Sequence, residues 1–222
     1  MPYHVRAGRE DIAPAVVGVG DPARAELYAS LMEGARPVSA GRYLVYTGRV
    51  RGKRVTVAAH GIGGPSIAIL LEELRQLGME VFIRIGTAGS LGQLSAGDVL
   101  VAAAAAAPAG GLFGAYFPGY NPPLSADPVL TARLAEALKA PVGYVVSSDA
   151  FYVEDEGFAR LWRERGAAAV EMECAAAMAL GWLRGFRVGC VLVISNVVGR
   201  RETAADLRDR LAEVFMRVVD VI

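Results

Sequence analysis

Short apolar runs alternate along this chain with stretches whose apolar positions return every three or four residues. The run Ala15-Val16-Val17-Gly18-Val19-Gly20 reads as a buried strand. Asp21-Pro22 then opens a helix, with the aspartate as cap and the proline in the first turn, and Ala25, Leu27, Leu31 and Met32 follow at near-helical spacing. Residues 43–50 and 54–59 predict a hairpin turning at Arg51-Gly52-Lys53. A glycine loop, His60-Gly61-Ile62-Gly63-Gly64-Pro65-Ser66, feeds a helix over about 66–77. A strand follows over 81–85, ending in Arg84 and a loop of small residues, and another starts at 97–101. Residues 108–126 are rich in Gly, Pro and aromatics and predict an irregular excursion. Beyond it the pattern predicts a helix over 128–138, a strand over 143–146 and a helix over 156–165. A helix from 170 to 183, a buried strand over 188–194 and a final helix over about 204–221 complete it. Strands alternating with helices predict an α/β fold with a mixed sheet covered on both faces.

Composition narrows the class. The 222 residues carry 23 basic and 23 acidic side chains, so nothing in the net charge favours nucleic acid or an anionic membrane. That length suits one compact α/β domain or two small ones, with no linker-like tract between halves. Met1-Pro2-Tyr3-His4-Val5-Arg6 lacks the apolar core of a signal peptide, and the run 99–107 is too short to span a bilayer, which together predict a cytoplasmic protein. Cys174 and Cys190 lie in apolar surroundings and read as buried free thiols; with two histidines they form no metal-ligand pattern. Basic charge is almost all arginine and side-chain amides are few, which fits a thermophilic source or a GC-rich genome. The hydrophobic fraction of 54% exceeds the usual ~45–50% and points to a buried subunit interface.

Candidate chemistry gathers where strands end. Arg84 offers a fixed fork of donors to an oxyanion and Thr87 adds a hydroxyl; the alternative is an arginine paired with a carboxylate at a sheet edge. Gly20-Asp21-Pro22-Ala23-Arg24 sits at a strand-to-helix switch, where an anion suits the helix N-terminus and offsets the cost of an arginine in the first turn. The loop at His60 is no dinucleotide fingerprint, and His60 itself reads as a structural hydrogen-bonder. Phe151-Tyr152 follows a strand and can stack on a planar ligand or pack into the core. Glu171-Met172-Glu173 places carboxylates at a helix start, where one can accept both hydroxyls of a diol. Asn196 ends the last buried strand with a donor and an acceptor, able to read a heterocycle edge or to cap a turn. Anion donors, a diol acceptor, an aromatic plate and an edge reader together fit a nucleoside plus phosphate.

These motifs, in this order from His4 to the final helix, resemble the hexameric-type nucleoside phosphorylases, which include purine nucleoside, uridine and archaeal methylthioadenosine phosphorylases. The resemblance implies a single domain over residues 1–222, a three-layer αβα sandwich whose central mixed sheet is partly barrel-like. It implies phosphate held by Gly20, Arg24, Arg84 and Thr87, and ribose by Met172 and Glu173. It implies a base stacked on Phe151, His4 reaching a neighbouring subunit's site, and a hexamer built from three dimers. Arg42 falls about one residue off the register of a further phosphate arginine from the partner. Where purine enzymes of this type often carry an aspartate that protonates the base, this chain has Asn196, which hydrogen-bonds but supplies no proton. The expected activity is therefore phosphorolysis of a 6-oxopurine nucleoside, with Arg24, Arg84 and Asn196 carrying the chemistry and inorganic phosphate as co-substrate in place of any cofactor or metal. Arg208 or Arg210 of the final helix would support Asn196. Alternatives are a uridine or methylthioadenosine phosphorylase, a nucleosidase using water, and a nucleoside-binding protein without catalysis.

Overall fold

The computed structural model describes residues 2–199 and 206–222. Among the described residues nine strands form one sheet: β1 (Ala15–Val19), β2 (Glu33–Ala40), β3 (Leu44–Val50), β4 (Lys53–Ala59), β5 (Val81–Ser90), β6 (Val99–Ala106), β7 (Val142–Ser147), β8 (Ala167–Glu171) and β9 (Arg187–Val197). Their order is β2-β3-β4-β1-β5-β8-β7-β6-β9, and β9 pairs back onto β5. Five strands thereby close a ring, and β1 to β4 extend from it as an open wing. The wing and ring share β5, whose first half pairs with β1 and whose last two residues, Gly89 and Ser90, pair with β8.

Helices cover both faces: α1 (Pro22–Ser30), α2 (Gly64–Gln76), α3 (Gly111–Tyr116), α4 (Pro128–Leu138), α5 (Glu156–Glu164), α6 (Cys174–Arg184) and α7 (Arg208–Val221). Successive strand residues point to opposite sides. Val16, Phe82, Leu100 and Leu192 join α2 and α6 in one core, whereas Val17, Ile83, Val101 and Val193 join α1, α4 and α7 in another. A sheet buried on both faces explains why its strands read as continuous apolar runs. Gly18 makes room on this sheet, because a Cβ there would collide with the Phe82 ring.

The hairpin, the cap at Asp21 and the helix over 128–138 form as the sequence predicts; Asp21 accepts from the Ala23 amide at 2.9 Å. Two expectations need correction, and two strands were not anticipated. The strand at 81 does not end at Arg84 but runs on to Ser90, because its small residues keep pairing with β9 throughout. Residues 167–171, four of them alanine or valine with weak strand signal, form β8 because β7 and β5 pair with them on either side. The helix expected from 170 starts only at Cys174. Residues 33–40 form an edge strand despite Gly34 and Pro37, a place where proline is tolerated. The excursion at 108–126 holds the short α3. The final helix starts at Arg208 in the described residues; residues 204 and 205 lie outside them. Cys174 and Cys190 are buried and free. No helix among the described residues is long and apolar enough to cross a membrane.

Candidate active site

Parallel pairing sets the site. The loops after β1 and β4 run side by side, with the His60 amide on the Val19 carbonyl at 2.7 Å and the Gly61 amide on the Gly20 carbonyl at 3.1 Å. His60 is fully buried; its Nδ1 lies 2.8 Å from the Gly61 carbonyl, and its Nε2 has no partner among the described residues. Burial pushes its pKa down to about 3, helped by the positive charges of Arg84 and Arg24. Both predicted arginines therefore act electrostatically on one neutral imidazole.

Arg84 lies inside β5 rather than at its end, with its guanidinium folded back over Gly86, where any Cβ would collide with it. It is almost wholly buried and ion-paired with Glu173, with Glu171 3.4 Å away. The carboxylate pairing considered from sequence is thus real, but it sits in the core of the sheet and its partner is the expected sugar-holding residue. Burial alone would lower the arginine's pKa; the two carboxylates win and raise it. Burial likewise pushes Glu173 up, yet the Arg84 charge and the Gly63 amide at 2.6 Å hold it below its ordinary value.

Arg24, half-buried on α1, donates to Thr87 Oγ1 at 3.3 Å. Met172 is half-buried in the turn between β8 and α6. Asn196, near the end of β9, lies in register with Gly89 of β5, and its Oδ1 is 2.8 Å from Ser195 Oγ. Phe151 is 62% exposed on a short 3-10 turn after β7, packed edge-on to Tyr152. His4 and the bend carrying Arg42 form a separate cluster: the Gly41 backbone approaches the His4 carbonyl, and the rings of His4 and Tyr43 are 6.1 Å apart. Arg210 is committed to Glu213 and the Gly97 carbonyl, so it gives Asn196 no support; Arg208 is exposed.

Sequence reasoning missed two supporting groups. Glu171 accepts from the amides of Glu173 and Cys174 at 2.8 and 2.9 Å and from the Ser147 hydroxyl, fixing the turn that aims Glu173. Glu73 accepts from the amides of Tyr3, His4 and Val5 and pairs with His4 Nδ1, clasping the N-terminal segment. No local signal marks these carboxylates, because their partners are mostly backbone amides. A cleft of about 280 Å³ lies against α5 between Leu91, Arg163 and Val198 and excludes Arg24, Arg84 and Glu173. Among the described residues no group of three His, Cys, Asp or Glu side chains could hold a metal ion.

The described residues thus form a ring-and-wing α/β sheet in which a buried arginine is ion-paired with a carboxylate, and a second arginine meets Thr87 of the same central strand. The chain belongs to the Phosphorylase superfamily, whose family profile matches residues 14–221. It is 32% identical to a guanosine phosphorylase of Halorubrum lacusprofundi, over 95% of this chain and 90% of that protein. It is 34% identical to a uridine phosphorylase of Escherichia coli, over 99% and 94%. A crystal structure of purine nucleoside phosphorylase from Toxoplasma gondii in complex with immucillin-H superposes with a TM-score of 0.87 at 29% identity, covering 99% of this chain and 93% of that one.

Proposed function

We infer that this chain is a nucleoside phosphorylase, a pentosyltransferase that moves a pentose from a nucleobase to inorganic phosphate, and that it prefers 6-oxopurine nucleosides. The observation that carries the reading is that Arg24, bonded to Thr87, and Arg84, bonded to Glu173, both bring their charge to bear on the same buried histidine. Gly20, Arg24, Arg84 and Thr87 hold phosphate; Met172 and Glu173 hold the ribose; Phe151 stacks on the base. His4 and Arg42 serve the site of a neighbouring copy in a hexamer of three dimers. Residues 1–222 act as a single domain.

Arg84 and Glu173 compensate each other, which keeps two desolvated charges tolerable. Phosphate takes over the arginine and the sugar hydroxyls take over the carboxylate as substrates enter. The bond from C1′ to the base breaks as positive charge grows on the sugar ring. Hydrogen phosphate beneath C1′ stabilises that charge and forms the new C–O bond. Its proton ends on the departing base. Fixing the dianion in place is an electrostatic and orientational contribution, so Arg24→Ala should lower kcat/KM by about 10²–10³-fold. Asn196 donates a hydrogen bond to the base without protonating it.

A panel of inosine, guanosine, adenosine, methylthioadenosine and uridine, each with and without phosphate, tests this. Inosine and guanosine should be cleaved only with phosphate, releasing pentose 1-phosphate. Faster cleavage of adenosine or methylthioadenosine overturns the base preference; cleavage undiminished without phosphate overturns phosphorolysis. Uridine is the second reading, favoured by the 34% identity to uridine phosphorylases.

A further inference from the structure

Asn196 carries a donor and an acceptor on one amide, and which of them faces a ligand decides what it can read. The neighbouring Ser195 hydroxyl lies 2.8 Å from Asn196 Oδ1 and 3.3 Å from the Ala88 carbonyl. One hydroxyl proton serves one acceptor fully, and the shorter partner takes it. Both residues are half-buried at the carboxyl end of β9, where Asn196 stands opposite Gly89, on the same strand whose Thr87 meets Arg24. The Nδ2 group lies on the side of Gly89, about as close as van der Waals contact to the position a Cβ would take there. With Oδ1 engaged by Ser195, the free edge of the amide is its NH₂.

We propose that Ser195 is a positioning residue that locks the Asn196 amide with its NH₂ outward, making base recognition donor-only and selecting 6-oxopurines over 6-aminopurines. The proposal rests on the reading that Asn196 faces the base. A 6-oxopurine presents two acceptors side by side, O6 and N7, and both suit an NH₂ donor. A 6-aminopurine presents an N–H donor beside N7, so donor meets donor and one polar group is left without a partner. A donor held at N7 also favours the departing base, whose ring gains negative charge as the glycosidic bond breaks. Ser195 touches no substrate in this scheme; its effect is transmitted by removing rotation about the Asn196 side chain. Without the hydroxyl, the amide can turn to present Oδ1, which accepts from a 6-amino group.

The test is the ratio of kcat/KM for inosine to that for adenosine in the wild type, Ser195→Ala, Ser195→Thr and Asn196→Ala, with thermal unfolding recorded for each. Ser195→Ala should shrink the ratio by roughly tenfold, the equivalent of one misplaced hydrogen bond, partly through a gain on adenosine. Ser195→Thr keeps the hydroxyl and should keep the wild-type ratio, so a general packing defect at 195 would show there instead. Asn196→Ala should abolish the preference. An unchanged ratio in Ser195→Ala alongside a collapsed one in Asn196→Ala overturns the role of Ser195 and leaves the base reading standing. An unchanged ratio in Asn196→Ala overturns the base reading itself. A wild type that prefers adenosine means that the amide presents its oxygen, with Ser195 donating to Ala88 instead, and also overturns the proposal. If Ser195→Ala fails to fold, Ser195→Cys, a weaker donor, should give an intermediate ratio, and a wild-type ratio there counts against it.

Discussion

A guanidinium placed inside a strand is tolerated only where carboxylates replace the water it loses. Arg84 meets that condition through Glu173 and Glu171, both buried with it. Arg84→Met should therefore destabilise the protein by about 3–5 kcal/mol in urea unfolding, because two carboxylates are left uncompensated. Adding Glu173→Gln to that variant should recover part of the loss; full additivity of the two changes would mean that the pair is not coupled. His60 gives a pH signature. Its folded pKa of about 3 lies below its ordinary 6.5, so between those values the unfolded chain binds a proton that the folded one excludes. Stability must then rise with pH across that window, by up to about 1.4 kcal/mol per pH unit from this one group, and gain nothing from it above 6.5. Glu173, held below its ordinary 4.5, acts in the same direction at lower pH: its contribution is present above that value and lost as pH falls through the folded one. Urea midpoints at pH 7.5, 6.5, 5.5 and 4.5 should fall more gently in His60→Gln than in the wild type; parallel curves would show that His60 is not held neutral. Residue types alone made Arg24, Arg84, Glu173 and Asn196 legible as candidates. The roles of Glu73 and Glu171 were not, since each works by collecting backbone amides that a linear pattern does not display.

At the scale of elements, helices with good caps were readable to the residue. Asp127-Pro128 starts α4, the Asp127 side chain accepts from the Leu130 amide at 2.7 Å, and Leu130, Leu134 and Leu138 fall on the buried face. Alanine-rich and glycine-rich strands were not readable, because β8 and the second half of β5 are held by their neighbours rather than by strand propensity. The second half of β5 matters most, since its small residues let Arg84 lie flat over the sheet. Gly86→Ala should push the guanidinium out of place, costing about 1–3 kcal/mol of stability and a larger share of kcat than of substrate affinity; wild-type kinetics in that variant would show that Arg84 has room to shift. On the opposite face, Tyr28 of α1 stacks on Phe215 of α7 with centroids 4.3 Å apart and planes 12° apart. Phe215→Ala should cost about 3–5 kcal/mol in urea unfolding without moving the base preference, because the contact lies in the second core, away from Asn196.

The whole molecule couples these parts by closing five strands of the sheet through the β5–β9 pairing, with the open wing attached at the same strand. Anything that binds only the folded site must stabilise all of it, so phosphate at a hundred times its Kd should add about 2.7 kcal/mol to the unfolding free energy, read as a concentration-dependent rise in Tm. Chloride at the same ionic strength should give no such rise if Arg24 and Arg84 form a phosphate site. The alternation of apolar strands with amphipathic helices over most of the chain, and the kinds of side chain available for an anion, a diol and a heterocycle, were determined by the sequence alone. Those features rest on local periodicity and on the chemistry of single residues. Only the tertiary structure decided that Arg84 lies within a strand and not at its tip, that it is bonded to Glu173, and that Ser195 occupies the oxygen of Asn196. Such contacts join positions far apart in the chain or depend on which way a side chain turns, and both are set by how the sheet closes.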